Sequence, residues 1–504
     1  MLTDYVEKIL KARVYDVAIE TPLDLMPRLS QRLNNTLLLK REDLQPVFSF
    51  KLRGAYNRMQ HLSADERTHG VIAASAGNHA QGVALAANKM GISSLIVMPK
   101  TTPAIKVEAV KSFGAEIILH GNSYDEAYSH ALAIAQQQGR TFIHPYDDPE
   151  VIAGQGTIAM EIMRQHSEPL HAVFVPVGGG GLIAGVAAYI KAFWPEIKVI
   201  GVEPADAACL KAALDAGERV VLDQVGLFAD GTAVSQIGEE PFRIARETVD
   251  EVVVVDSDEL CAAIMDIFDD TRSIAEPSGA LAVAGAKKYI ARENLQDENI
   301  VVIDSGANIN FDRLRHVAER AELGERREVL FATKIDEQPG SFQKFCQTLE
   351  DKGITEFNYR YADNQQAHIF VGVSISGGDE ERAALFNNLD DAGYQWIDFS
   401  DNEMAKLHVR YMVGGHAAQV DNEQLYRFEF PERPGALLRF LTHLGQRWNI
   451  SLFHYRNHGA AYGRVLIGVQ VLDDEQDEFQ GFLDALGYVY WHETKNPAYD
   501  LFLK

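Results

Sequence analysis

From about residue 70 to residue 310, short apolar runs alternate with stretches whose apolar positions recur at helical spacing. VIAAS precedes HAQGVALAANKMG, SLIVMP precedes AIKVEAVKSFG, and AEIILH precedes YDEAYSHALAIAQQQG. AVFVPV, KVIGVE and NIVVID continue the rhythm, each running into a Gly-rich or Pro-containing turn. Strands apolar on both faces, alternating with helices, predict an α/β unit in which a parallel sheet is covered on both sides. Ligands of such sheets bind beyond the carboxyl ends of the strands. The unusual segments of this chain fall there.

The pattern changes near residue 320, where the charged stretch RAELGERRE (320–328) reads as a helix end and linker. Beyond it a unit repeats. PGSFQKF (339–345) matches PGALLRF (434–440), FNYR (357–360) matches FHYR (453–456), and FVGV (370–373) matches LIGV (466–469), at an offset of 95 or 96 residues. Each copy reads strand, Pro-Gly, helix, strand, strand, helix, strand, the βαββαβ order of ferredoxin-like α+β folds. The predicted domains are 1–320 and 321–504, with the repeats at about 327–418 and 423–496.

At 504 residues and 46% hydrophobic content the chain can bury more than one core. A formal charge of -25, with no run rich in Lys or Arg, argues against nucleic acid or an anionic membrane as partner. Cys209, Cys261 and Cys346 lie far apart and away from histidine clusters, so neither a disulfide framework nor a zinc site is expected, and a reducing cytoplasm fits. The start, MLTDYVEKIL, lacks the features of a signal peptide, and no apolar run reaches membrane-spanning length. A soluble cytoplasmic protein is the expectation.

Four segments carry candidate chemistry. FSFKLRGA (48–55) sets Lys51 in what reads as the first turn of a helix, after Phe48 and Phe50. A helix amino end and apolar surroundings both disfavour an ammonium, and a neutral amine is a nucleophile. The alternative is a lysine that lays its stem on the two rings and keeps its head in water. SAGNHAQG (75–82) follows VIAA and opens a helix; Ser75, Asn78 and amides made approachable by Gly77 offer donors to a carboxylate, or simply cap the turn. GGGG (178–181) costs conformational entropy unless something must approach the backbone closely. It has neither the P-loop lysine nor the dinucleotide spacing, so it suits a single phosphate monoester, a bare flexible turn being the alternative. DSGAN (304–308) sets Ser305 at the carboxyl end of a strand, as a neutral hydroxyl partner or as a helix cap. Amine, anion-binding turn, phosphate loop and hydroxyl are expected to gather along one edge of one sheet.

S-F-K-x-R-G-A, S-A-G-N-H-A-Q-G and G-G-G-G-L together resemble the threonine dehydratases, pyridoxal phosphate enzymes of fold type II, and the likeness spans nearly the whole chain. The C-terminal repeat resembles the paired ACT-like regulatory domain of the biosynthetic members. The resemblance implies a catalytic domain in which Lys51 condenses with the cofactor aldehyde beside Phe50. It implies that Gly178, Gly179, Gly180 and Gly181 hold the phosphate, that Asn78 meets the phenolic oxygen, and that Ser305 faces the ring nitrogen. Ser75, Ala76, Gly77, Asn78 and His79 would bind the substrate carboxylate. The implied reaction converts L-threonine to 2-oxobutanoate and ammonia, the first committed step of isoleucine biosynthesis, with L-serine as a second substrate. Isoleucine would inhibit and valine oppose it, in a homotetramer, with Tyr359 and Tyr455 closing effector pockets or else lying in the core.

Two positions depart from related racemases. Ala76 stands where they carry a serine, which implies little racemisation. Glu203 is followed by ADAAC, with Cys209 where they place a metal-binding acid, so no metal is expected. Glu276 in AEPSGA is either a pocket acid or a solvated helix-start residue. The rival readings are another enzyme of the same cofactor class and a non-catalytic amino-acid sensor.

Overall fold

Residues 36–41, TLLLKR, form a strand buried at five of its six positions, well ahead of the region where the strand–helix rhythm begins. The computed structural model describes residues 2–504 except 101, 103, 227, 312, 337, 339, 350–351, 361–365, 377, 403–404, 407–408, 412–419, 432–435, 445–446, 457–461, 497–498, 500–502 and 504. The chain divides into two units, Met1–Ala321 and Glu322–Lys504.

In the first unit the strands are β1 (Leu23–Leu25), β2 (Thr36–Arg41), β3 (Val71–Ala74), β4 (Ser94–Met98), β5 (Glu116–Leu119), β6 (Thr141–Phe142), β7 (Ala172–Pro176), β8 (Lys198–Pro204), β9 (Glu251–Val255) and β10 (Asn299–Asp304). One sheet runs β1-β2-β10-β7-β8-β9 and a second runs β5-β4-β3-β6. Among the named strands of this unit only the edge pair β1–β2 is antiparallel; the other strand pairings are parallel. The sandwiching is legible in β7, which is buried along its whole length. Ala172 and Phe174 enter a core with Leu281 and Tyr289, whereas Val173 and Val175 enter another with Ile183 and Val186. A period of two thus serves two helix layers.

The carboxyl ends that carry the candidate chemistry therefore belong to two sheets, which corrects the expectation of one edge of one sheet. Strand–helix alternation signals parallel pairing but does not name the partners. Here β3 to β6 pair among themselves and form a self-contained insertion between β2 and β7.

In the second unit, β11 (Glu328–Asp336), β12 (Ile354–Arg360), β13 (Gln366–Ser374) and β14 (Trp396–Asp398) belong to the first repeat. β15 (Glu423–Pro431), β16 (Asn449–Arg456), β17 (Tyr462–Gln470) and β18 (Val489–His492) belong to the second. Helices 341–348 and 378–391 complete one βαββαβ set, and helices 436–444 and 476–486 complete the other. The sets join through antiparallel β12 and β16 into one sheet, β14-β11-β13-β12-β16-β17-β15-β18. At that seam Phe357 faces Tyr455 and Tyr359 faces Phe453. Both tyrosines are buried in a shared apolar core, with the ring of Phe342 4.8 Å from that of Tyr359. Gly340, at φ +92°, caps the helix Ser341–Thr348; Pro339, Pro434 and Gly435 of the predicted Pro-Gly turns lie outside the described residues. Among the described residues no helix is long and apolar enough to cross a membrane.

Candidate active site

Lys51 is the first residue of the helix Lys51–Gln60. The motif is fastened to the DSGAN turn by main-chain bonds. Phe50 N–H donates to the Ser305 carbonyl at 3.3 Å, and Ala307 N–H to the Phe48 carbonyl at 2.9 Å. The Lys51 Nζ donates to the Pro145 carbonyl at 3.0 Å and lies 5.3 Å from the centre of the Phe50 ring. Phe48 turns outward, 58% exposed. The lysine head is thus enclosed, and among the described residues no carboxylate lies within ion-pair distance of it. Burial pulls its pKa down to about 8, while the charge of Glu276 pulls the other way.

The tetraglycine follows β7 and leads into the helix Gly181–Phe193. Gly180 has φ +89°, and a β-carbon on Gly179 would come within 2.2 Å of the Tyr146 ring. Neither position tolerates a side chain. The four glycines, Lys51, Phe50, Asn78 and Ser305 line one cavity. Its donors include main-chain amides at a helix amino end, a ready anion site.

Asn78 starts the helix Asn78–Met90 after β3. Its Nδ2 donates to Glu276 Oε1 at 2.6 Å, and its Oδ1 accepts from Asn308 Nδ2 at 2.7 Å. Glu276 lines the cavity and is buried, not solvated; burial first, then the nearby Asp230 charge, push its carboxyl up to about 7. Ser305 is buried and its hydroxyl donates to the Ser278 carbonyl at 3.3 Å. A neutral hydroxyl therefore stands where the β10 strand ends.

Ser75, Ala76 and Gly77 form the partly exposed turn before Asn78 and are not among the residues lining the cavity. Ser75 Oγ accepts from Gly77 N–H at 3.3 Å. The His79 ring is turned away from that turn: it is buried, Nε2 donates to the Ile143 carbonyl at 2.8 Å, and burial lowers its pKa to about 3. Its side chain serves packing between the helix and the small sheet. Glu203 is likewise satisfied internally, accepting from Leu210 and Lys211 N–H at 2.8 Å each, and the Cys209 thiol donates to the Gly178 carbonyl at 3.4 Å. Among the described residues no cluster of His, Cys, Asp and Glu could hold a metal ion.

Sequence reasoning missed Tyr146, Thr232 and Ser278, which also line the cavity. The Thr232 and Ser278 hydroxyls lie 3.2 Å apart. Ser278 sat within AEPSGA, the stretch already noted for Glu276; no periodicity marked Tyr146 or Thr232.

Residues 14–306 match the family of pyridoxal-phosphate dependent enzymes, and residues 319–409 and 414–503 match the C-terminal regulatory domain of threonine dehydratase. The chain is 59% identical over 503 residues to the biosynthetic L-threonine dehydratase of Burkholderia multivorans, covering 99% of each. It is 57% identical over 500 residues to that of Escherichia coli, covering 99% of this chain and 97% of the other. Among solved structures it is similar to the processed form of threonine deaminase isoform 2 from Solanum lycopersicum, with a TM-score of 0.63 and 52% identity, covering 64% of this chain and 93% of that one.

Proposed function

Because the chain belongs to the pyridoxal-phosphate-dependent biosynthetic threonine dehydratases, we propose that residues 1–320 deaminate L-threonine to 2-oxobutanoate and ammonia and that residues 321–504 regulate them. The residues present fit the cofactor. Gly178, Gly179, Gly180 and Gly181 offer main-chain N–H groups, uninterrupted by side chains, to its phosphate. Lys51 offers an amine partly neutral near neutrality, Asn78 a donor for the phenolic oxygen, and Ser305 an uncharged partner for the ring nitrogen. When bound, the cofactor supplies the electron sink that acidifies the substrate's α-carbon.

The chain supplies the rest. The Lys51 Nζ takes the α-proton as general base, and the β-hydroxyl, receiving that proton in turn, leaves as water. The enamine so freed hydrolyses to the oxo acid and ammonia. Ser75, the main chain of Ala76 and Gly77, Asn78 and the main chain of His79 hold the carboxylate. Serine fits the same scheme and yields pyruvate. Ala76 provides no acid on the second face of the substrate, so racemisation is slight.

One observation carries this reading: an enclosed amine without a carboxylate partner shares a cavity with four successive glycines and Ser305. Borohydride reduction of the loaded enzyme followed by peptide mapping tests it. A pyridoxyl label on Lys51 is expected; a label elsewhere, or none, overturns the assignment.

Regulation follows from the second unit. Isoleucine inhibits and valine opposes it, within a cytoplasmic homotetramer. A cavity at the junction of the repeats, where Phe342, Leu441, Leu444, Trp448 and Ile450 lie beside Gln338, Gln343 and Asn449, supports binding of a small amino acid with an apolar side chain. Neither Tyr359 nor Tyr455 lines it; Tyr359 packs in the core behind the Phe342 ring, 4.8 Å away, and Tyr455 lies in the same core. A threonine titration should turn more sigmoidal and shift rightward with isoleucine; a curve indifferent to isoleucine overturns the regulatory assignment alone.

A further inference from the structure

The segment His144–Asp147 has no role in the chemistry above, yet it touches the amine and the tetraglycine together. The Pro145 carbonyl accepts from the Lys51 Nζ at 3.0 Å. The Tyr146 ring leaves no room for a β-carbon at Gly179. The two oxygens of Asp147 accept from Glu239 and Glu240 N–H at 2.9 and 3.0 Å, capping the helix Glu239–Thr248. One side chain organises the turn itself. His144 Nδ1 accepts from Asp147 N–H at 2.8 Å and from Tyr146 N–H at 3.3 Å.

Two main-chain donors converging on Nδ1 require that nitrogen to be unprotonated, so the ring proton sits on Nε2. Tyr128, Phe142 and Tyr146 surround the imidazole edge-on, with centroids 6.4, 6.1 and 4.7 Å away. Burial lowers the ring's pKa to about 4, with the Lys51 charge adding to it and Asp147 and Asp148 pulling the other way. The acceptor therefore persists at neutrality. A phenylalanine would preserve the packing and lose the acceptor. An asparagine would keep an oxygen at the place of Nδ1, two bonds from the β-carbon.

We propose that His144 is the positioning residue for Lys51: by accepting two main-chain bonds it sets the turn whose Pro145 carbonyl holds the amine and whose Tyr146 ring supports the tetraglycine. The proposal rests on Lys51 being the cofactor-bearing amine. It adds a requirement on the shape of the turn, separate from the identity of the lysine.

Three measurements test it. Nitrogen NMR of the loaded enzyme with labelled histidine should find the His144 ring neutral, with its proton on Nε2, down to about pH 5; a proton on Nδ1 at neutrality overturns the proposal without any variant, even if H144F fails to fold. In H144F, loading of apoenzyme with pyridoxal phosphate, followed by visible absorption, should slow about tenfold and kcat should fall about tenfold while KM stays within about twofold. H144N should return both rates to within about threefold of the parent. Equal behaviour of the two variants, whether both unimpaired or both impaired, overturns the proposal. Borohydride mapping of H144N separates the two readings: a label on Lys51 without a His144 effect removes only the positioning role, whereas a label elsewhere removes the Lys51 assignment.

Discussion

Lys51 and Lys40 are enclosed cations of the same unit with opposite surroundings. Lys40 Nζ lies 2.7 Å from a Glu161 oxygen and donates to the Thr21 carbonyl at 2.6 Å and to Gln165 Oε1 at 3.0 Å. Arg53, two residues beyond Lys51, grips both oxygens of Glu42 at 2.8 Å and also binds Glu161. In this set each charge faces an opposite one; Arg53 holds Glu161 ionised, and its own proton is held more firmly by both acids. Lys51 has a carbonyl and a ring instead. Burial lowers the pKa of both lysines, but at Lys40 the adjacent Glu161 and the Glu42 charge oppose it, whereas at Lys51 only the Glu276 charge does. The arginine of K-x-R-G-A belongs to the charge-paired set, whereas the lysine is the amine that the proposed function makes reactive.

The largest break in this contrast is K51A. Turnover of threonine should fall by at least about ten-thousandfold and the visible absorption of the loaded enzyme should vanish. The apoenzyme's unfolding midpoint should hold or rise, since a partly buried amine without a counter-charge is removed. R53M should do the reverse, leaving Glu42 without its guanidinium and Glu161 with Lys40 alone. A loss of about 3–5 kcal/mol is expected in denaturant unfolding. K40M should cost less, about 1–3 kcal/mol, because Glu161 retains Arg53. An R53M protein as stable as its parent would erase the distinction between the two sites.

Much of the site was legible because it lies in short contiguous motifs: an amine at a helix start, glycines after an apolar strand, a serine where a strand ends. Such local features depend on backbone conformation and nearest neighbours, which sequence expresses directly. Pairing does not have that property. β3 to β10 read as one alternating series, but β3 to β6 chose one another, and nothing in their composition distinguishes them from β7 or β8. The partner of the His79 ring, the Ile143 carbonyl, was not legible for a related reason, since it is 64 residues away. Tyr146 owes its place to packing against Gly179, a contact visible only once the two sheets are set beside each other. The βαββαβ repeat was readable because it occurs twice, and duplication converts weak motifs into a register.

The finest adjustment of the reactive site concerns Glu276, the nearest approach to a counter-charge that Lys51 has. Its charge opposes burial and raises the Lys51 pKa toward its value of about 8. E276Q keeps an oxygen to accept from Asn78 and removes the charge. The pH midpoint for acylation of Lys51 in the apoenzyme should therefore move to lower pH, by less than about one unit. The same substitution has a second signature. Burial and Asp230 raise the Glu276 carboxyl from the ordinary 4.5 to about 7, so the folded protein binds this proton more tightly than the unfolded chain. Its contribution to stability is fully present below about pH 4.5 and is lost as pH rises through about 7, and E276Q, having no proton to lose, should show a flatter stability profile across that interval. A midpoint that stays put or climbs would mean that Lys51 is tuned by desolvation alone and that Glu276 acts only as an acceptor for Asn78.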